Sequence, residues 1–398
     1  MKQLPLVIAL SAAAVCTFAN AQSVQVYGKL YPYLVQESSS GVSPVGTTMS
    51  SLSSAATGVK GVPTIRGMSA GNSYLGVRGK EDLGGGLKAF FQVEGVVEVD
   101  NGSAAGFRWN RNNWVGLEGG FGEVHLGFMD TVFKDYGDTL GILGISSGTP
   151  VSSSNILRKA PFGTNNASRF HERRANSIRY DSPEFGGVEF GVQVATQENP
   201  TATIGAAKTY SLGAKYDQGP IYVALAFEQH DNFFGGSVNA PAAQRNNGAG
   251  GTVTSKDTAL QATVEWRISK TQKVEFDIIS KKYDENATTA GRFKSYKNTA
   301  FMVAYDGRFA GNWRLMAHYV KSAAGSCTLV GAACNTSGLE GTQLTAGLAY
   351  SLSKRTFVYA VATQITNGRS ARFGATDFGS PNPGEDSRHL IAGISHSF

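Results

Sequence analysis

Residues 129–175 carry a sorted set of charges. Asp130, Asp135 and Asp138 stand with a single Lys134 in the first part, and Arg158, Lys159, Arg169, Arg173 and Arg174 stand with Glu172 in the later part, a surplus of two positives. Fixed charges gathered in a narrow wet passage repel ions of their own sign and attract the opposite sign, so the pattern suits electrostatic selection better than bond making. Covalent chemistry has no comparable footing. The six histidines (His125, His171, His230, His318, His389, His396) fall on separate segments without a ligand spacing such as H-E-x-x-H. The glycines of residues 116–122 join two strand-like runs with no helix after them, so they read as a turn and not a phosphate cradle. No catalytic residue, metal or cofactor is expected.

The compartment bears on two further side chains. Lys2, the apolar run Leu4–Phe18 and the small-residue site Ala19-Asn20-Ala21 read as a secretory leader over residues 1–21, which leaves 22–398 as one unit. No later run reaches the ~18 apolar residues of a helical span. Cys327 and Cys334 therefore meet an oxidising compartment, where a local disulfide is expected. The formal charge of +6, or +5 without Lys2, is spread along the chain and does not suggest a nucleic-acid partner.

What must position the 129–175 charges is a set of strands. Leu87, Ala89, Phe91 and Val93 alternate with Lys88, Gln92 and Glu94, and the same period of two recurs at 188–194, 221–228, 260–266, 273–278 and 313–319. Each apolar face is free of charge. A Lys or Arg at a bilayer midplane costs roughly 2–4 kcal/mol, so uncharged apolar faces are what lipid-facing strands require. Only residues 111–117 leave the parity open, because Trp114 and Val115 cannot both face lipid.

Connections fall into two populations. Short turns such as Glu81–Gly86, Asp181–Gly187 and Ser351–Arg355 alternate with long polar connections, seven short and eight long, which predicts sixteen antiparallel strands with both termini on the short-turn side. Residues 129–175 are the third long connection and far exceed the ~12–15 residues beyond which a loop is usually functional or disordered. Tyr180, Tyr216, Trp266, Tyr305, Trp313, Tyr350 and Phe398 stand beside short turns, as an interfacial aromatic girdle requires. The predicted fold is all-β, a transmembrane barrel.

Laid out in this way the chain resembles the Gram-negative general porins of the β-proteobacterial type. The resemblance rests on Val26-Tyr27-Gly28-Lys29, the run from Leu75 to Leu87 (LGVRGKEDLGGGL), Val115-Gly116-Leu117, Asn176-Ser177-Ile178-Arg179-Tyr180-Asp181-Ser182-Pro183, the run from Tyr350 to Thr356, and the closing Gly393-Ile394-Ser395-His396-Ser397-Phe398. It implies a sixteen-stranded barrel, a homotrimer in the outer membrane among its lipids and lipopolysaccharide, and a third loop folded into the lumen. It also implies that the barrel-assembly machinery reads Phe398, and that ions and small hydrophilic solutes diffuse passively through the channel. Lys29 takes the lumen-facing position of the Y-G-K motif, while Arg111, and Arg173 or Arg174, stand where other wall arginines occur. Two positions depart from the pattern: Tyr74 and Phe128 stand where many relatives carry arginine. The third loop also lacks the Pro-Glu-Phe-Gly-Gly of enterobacterial relatives.

The expected pore lining is then Lys29, Arg111, Arg158, Lys159, Arg173 and Arg174 against Asp130, Asp135 and Asp138, and its positive surplus predicts a preference for anions. The alternatives are a substrate-specific channel for organic anions or sugars, and a barrel enzyme. The first strands and the loop after strand three are expected to supply the contacts between protomers.

Overall fold

The computed structural model describes residues 23–55, 64–101, 107–137, 140–144, 149–163, 166–197, 206–246, 253–309, 311–374 and 380–398. The leader and Asp138 lie outside the described residues.

Twenty strand segments form one antiparallel sheet closed on itself. Three short breaks interrupt single strands, and one segment belongs to a loop, so the wall has sixteen strands. They are β1 (Ser23–Leu30, resumed as Tyr33–Ser40), β2 (Ile65–Ser69, resumed as Tyr74–Gly84), β3 (Leu87–Val97), β4 (Asn113–Gly119, preceded by Phe107–Arg108), β5 (Gly122–Asp130), β6 (Arg173–Asp181), β7 (Val188–Thr196) and β8 (Lys208–Gln218). The circuit continues through β9 (Ile221–Asp231), β10 (Ser255–Ser269), β11 (Gln272–Glu285), β12 (Phe293–Arg308), β13 (Trp313–Ser322), β14 (Gly341–Ser351), β15 (Thr356–Asn367) and β16 (Asp386–Ser397). Each pairs with its neighbour, and β16 closes on β1 through Lys29↔Ser397 and Tyr33↔Gly393. Closure removes every free strand edge, the condition for a sheet to sit in hydrocarbon.

The faces are inverted relative to a soluble protein. Val223, Leu225, Leu260, Val264, Phe276 and Ile278 are exposed on the outside, whereas Glu228, Gln261, Thr263, Glu265, Asp277 and Lys281 are buried on the inside. The open parity in β4 has a plain answer: Val115 is 56% exposed on the outer face, and Trp114 turns inward, its ring 4.7 Å from that of His125 and 5.0 Å from that of Phe90. On the turn side, the Trp313 and Tyr350 rings meet edge to face at 4.9 Å within the aromatic row.

Termini and turns follow from local chemistry. Gly84, Gly85 and Gly86 all have positive φ, a conformation that glycine adopts without penalty, and they turn β2 into β3. At the closure, Gly28 and Phe398 exchange two backbone hydrogen bonds. A Cβ at Gly28 would lie 2.5 Å from Phe398 Cζ and 2.6 Å from the Tyr74 carbonyl oxygen, so glycine there makes room for the terminal ring.

One loop contains structure that alternation did not reveal. Ser326–Leu329 forms a short strand that extends the wall by pairing with β12 from Phe293 to Lys297. Cys327 and Cys334 are joined as a disulfide beside it, with Cα atoms 5.7 Å apart.

The connection between β5 and β6 contains two short helices, α1 (Val132–Gly137) and α2 (Ser154–Leu157). It lies against the inner face. Its Val132, Phe133, Leu143, Val151, Ile156, Leu157 and Phe162 share one apolar cluster with Ile279, Tyr283, Tyr296, Met302, Met316, Val320 and Val361 of the wall. Six wall side chains also donate hydrogen bonds to its main-chain carbonyls: Lys29 to Gly144 at 2.9 Å, Tyr222 to Tyr136 at 2.6 Å, Gln261 to Gly137 at 3.0 Å, Lys281 to Leu157 at 2.7 Å, Tyr283 to Ser168 at 2.5 Å and Gln343 to Pro150 at 3.3 Å.

Candidate pore constriction

The acidic end of the loop is anchored on β4 to β7. A register shift between Gly127 and Met129 brings Asp130 opposite Arg173. The Asp130 carboxylate forms ion pairs with Lys134 at 2.5 Å and Arg173 at 3.1 Å and accepts a hydrogen bond from the Asn112 amide at 2.8 Å. One turn on, Asp135 pairs with Arg179, which also holds Asp181 through two hydrogen bonds of 2.8 and 2.9 Å. Tyr136 then donates to Glu189 at 3.0 Å, and burial with Asp181 and Glu189 close by pushes its phenol upward so that it stays protonated. Every carboxylate in this group faces a cation or a donor, so the cluster fixes the loop more than it adds net charge.

The basic middle of the loop goes to the other side. Arg158 and Lys159 are only 1% and 2% exposed, which corrects their expected role as water-facing lining residues. The Arg158 guanidinium donates to Gln261 at 2.9 Å and to the Gly137 carbonyl, and Lys159 donates to the Gly374 carbonyl at 2.6 Å. Burial, with Arg169, Arg372 and Lys281 nearby, holds the Lys159 amine well below the ordinary lysine range. The physical reason for the displacement is that neutral acceptors satisfy these donors: the Gln261 amide of the wall, the Gly137 carbonyl of the same loop and the Gly374 carbonyl of the connection between β15 and β16. Arg174 stays at the outer end of β6, 3.2 Å from His230 Nε2 and over the Phe233 ring at 4.6 Å.

Lys29 and Arg111 come from the wall itself. Lys29 points at the Gly144 turn, beside the rings of Tyr31 and Phe357 at 5.1 and 5.7 Å. Arg111 is neutralised by Glu94, with only 9% of the residue exposed, and its guanidinium lies over the Tyr74 ring at 4.5 Å. The tyrosine that departs from the family pattern thus serves as a platform for an arginine that stands just ahead of Asn113–Gly119. Tyr27 donates to the same Glu94 at 3.0 Å, and Arg78 lies over the Tyr27 ring at 4.8 Å while bonding Gln25.

Two cavities open below the loop on the turn side. One, of about 480 Å³, is lined by Glu118, Glu123, Asp135, Asp181, Glu184 and Glu189 with Arg179. The other, of about 620 Å³, is lined by Arg308, Arg314 and Lys354 beside Leu143 and Phe357. Arg78, Arg179, Arg314, Glu118 and Glu189 were not singled out in the sequence. The parity that makes their neighbours lipid-facing already puts them inside; what sequence lacked was any sign of which inward positions share a level.

A profile of the Gram-negative porins matches residues 8–370. The chain belongs to the Gram-negative porin family. The porin is 35% identical over 171 residues to the major outer membrane protein P.IB of Neisseria meningitidis serogroup B / serotype 15 (strain H44/76), a match that covers 42% of this chain and 46% of the relative. It is 38% identical over 169 residues to the outer membrane porin protein 32 of Delftia acidovorans, covering 42% and 47%. The matches thus span less than half the length of these relatives. Across the whole barrel it resembles the anion-selective porin from Comamonas acidovorans, with a TM-score of 0.70 at 22% identity over 95% of this chain and all of the other. The porin is an outer-membrane barrel of sixteen strands.

Proposed function

We propose that the chain is a passive diffusion channel for ions and small hydrophilic solutes, with residues 129–175 as its constriction and a preference for anions. The observation that carries this reading is the placement of the third connection, which is bonded to inward-facing side chains from β6 round to β14 and to Lys29 of β1. A segment held across a tube in this way narrows it, and the residual opening is the passage. Asp130 and Asp135 are matched locally by Lys134, Arg173 and Arg179, while Lys29, set against a carbonyl and two aromatic rings, forms no ion pair among the described residues, so the wall keeps a positive bias. The anion selectivity of the Comamonas porin supports the same sign. Single-channel recording across a KCl gradient tests it: a reversal potential favouring chloride is expected, and one favouring potassium overturns the anion preference. Liposome swelling with neutral sugars of rising size should show a smooth size cut-off, and one preferred solute would mark a specific channel instead.

The reading extends to assembly. Val24, Val26, Leu34, Met68 and Val115 are among the most exposed aliphatics of the barrel, each more than half exposed on the first four strands. A patch of that kind suits packing against a second and third copy, as a homotrimer requires. Three equal conductance steps per insertion are the expected signature. Phe398, held at the barrel rim by Gly28, suits recognition by the barrel-assembly machinery. Catalysis has no part in this reading.

A further inference from the structure

The connection between β15 and β16 begins as a strap, residues 367–374, on the loop side of the barrel. Asn367, the last residue of β15, clasps it from within. Its amide oxygen accepts from the Phe373 N–H at 2.8 Å, and its amide nitrogen donates to the Phe373 carbonyl at 2.9 Å and to the Glu385 carbonyl at 2.6 Å. The Ala371 N–H closes a turn onto the Gly368 carbonyl at 2.8 Å. Ser370, Ala371 and Phe373 are fully buried, although connections usually run over a surface. A buried connection has to pair its own polar groups, and one side chain that satisfies both backbone groups of Phe373 fixes the whole bend.

The strap is bonded on two sides. Toward the mouth it meets the connections between β1 and β2 and between β13 and β14. Ser370 Oγ accepts from the Ser50 N–H at 2.9 Å, the Ser370 carbonyl accepts from Ser53 Oγ at 2.7 Å, and its N–H donates to the Gly338 carbonyl at 2.9 Å. Ser43 Oγ donates to the Arg369 carbonyl at 2.6 Å, while Ser51 and Asn335 exchange hydrogen bonds that tie the two neighbouring connections to each other. Toward the lumen the strap meets the third loop. The Arg372 N–H donates to the Pro161 carbonyl at 2.6 Å, and the Gly374 carbonyl accepts from Lys159 at 2.6 Å. Leu52, Leu339, Phe373 and Phe162 belong to one apolar cluster, so the same three connections and the loop share a core. The wall takes hold of the loop at Leu157 through Lys281 and at Ser168 through Tyr283. Residues 159–161 lie between these points, where the strap bonds the loop from the mouth.

We propose that residues 367–374 are a positioning strap for the third loop, fixing residues 159–161 from the mouth and coupling them to the connections after β1 and β13. Its effect on current rests on the reading of residues 129–175 as the constriction; its hold on the loop does not. Asn367→Ala removes the clasp, and Arg372→Pro removes the N–H that bonds Pro161. The full mature chain is folded in neutral detergent, and amide hydrogen exchange is followed by mass spectrometry. Exchange over residues 158–163 should rise at least about tenfold in both variants, as the loss of a buried hydrogen bond implies, with β4 to β7 unaltered. Arg245→Gln, on the connection between β9 and β10 where the guanidinium bonds Ala240, should leave residues 158–163 as in the native chain. Heat-shifted gel mobility shows that each variant closes its barrel. Single-channel recording of the same variants should show noisier open-channel current at a fixed voltage. Exchange over residues 158–163 that stays native in one or both variants while residues 367–374 quicken overturns the proposal, because the strap then holds only itself. Faster exchange over residues 158–163 with unaltered current supports the strap and counts instead against residues 129–175 as the constriction.

Discussion

At the scale of single residues, charge sign matters less than what each charge is set against. Arg179 spans Asp135 and Asp181, so Arg179→Gln leaves two carboxylates facing the passage without their counter-ion. The reversal potential of that variant in a KCl gradient should move toward cations, and an unmoved potential would mean that these carboxylates lie outside the ion path. Lys159 makes a different kind of test. Its folded-state value is depressed below the ordinary ~10.4, so between the two values the unfolded chain binds more protons and stability rises with pH. Acidification therefore loosens the loop. The urea midpoint should climb across the alkaline range in the native chain and climb less in Lys159→Met. The sorting of charges along 129–175 was legible in the sequence. The burial of Arg158 and Lys159 was not, because their acceptors are the Gln261 amide and the Gly374 carbonyl, each more than a hundred residues away, and the Gly137 carbonyl of the same loop, none of which carries a charge that sequence would flag.

At the scale of elements, period-two alternation and the rhythm of short and long connections were enough to locate every strand of the wall. The misses sit where that rhythm is silent: the break between Leu30 and Tyr33, the register shift at Gly127, and the Ser326–Leu329 strand inside a loop. The last of these gives an element-scale prediction. A disulfide closing so short a loop is worth about 2 kcal/mol on chain entropy, and here it bears on one strand segment that pairs only with β12. Cys327→Ser/Cys334→Ser should speed amide hydrogen exchange at Ser326–Leu329 and Phe293–Lys297 while leaving β13 to β16 protected. Uniform loss of protection round the barrel would contradict that local role.

At the scale of the whole molecule, the chain is a closed circuit whose seam is β1 against β16, and Gly28 sits on the seam. Gly28→Val drives a side chain into the Phe398 ring and the Tyr74 carbonyl, an overpacking cost of about 1–3 kcal/mol. It should slow folding into liposomes and lower the temperature of the heat-induced gel shift, whereas Val26→Ile two residues away should do neither. The level of the closed sheet was readable because lipid imposes one rule on every outward residue; the interior obeys no such single rule, so its pairings had to be seen. One of those pairings reaches beyond stability. Lys29, Tyr222, Gln261, Lys281, Tyr283 and Gln343 all grip the third loop by its main-chain oxygens. A peptide carbonyl is present whatever residue carries it, so these six contacts fix the path of the segment without reading its side chains. Substitutions at loop positions outside the apolar cluster and the ion pairs leave that grip in place.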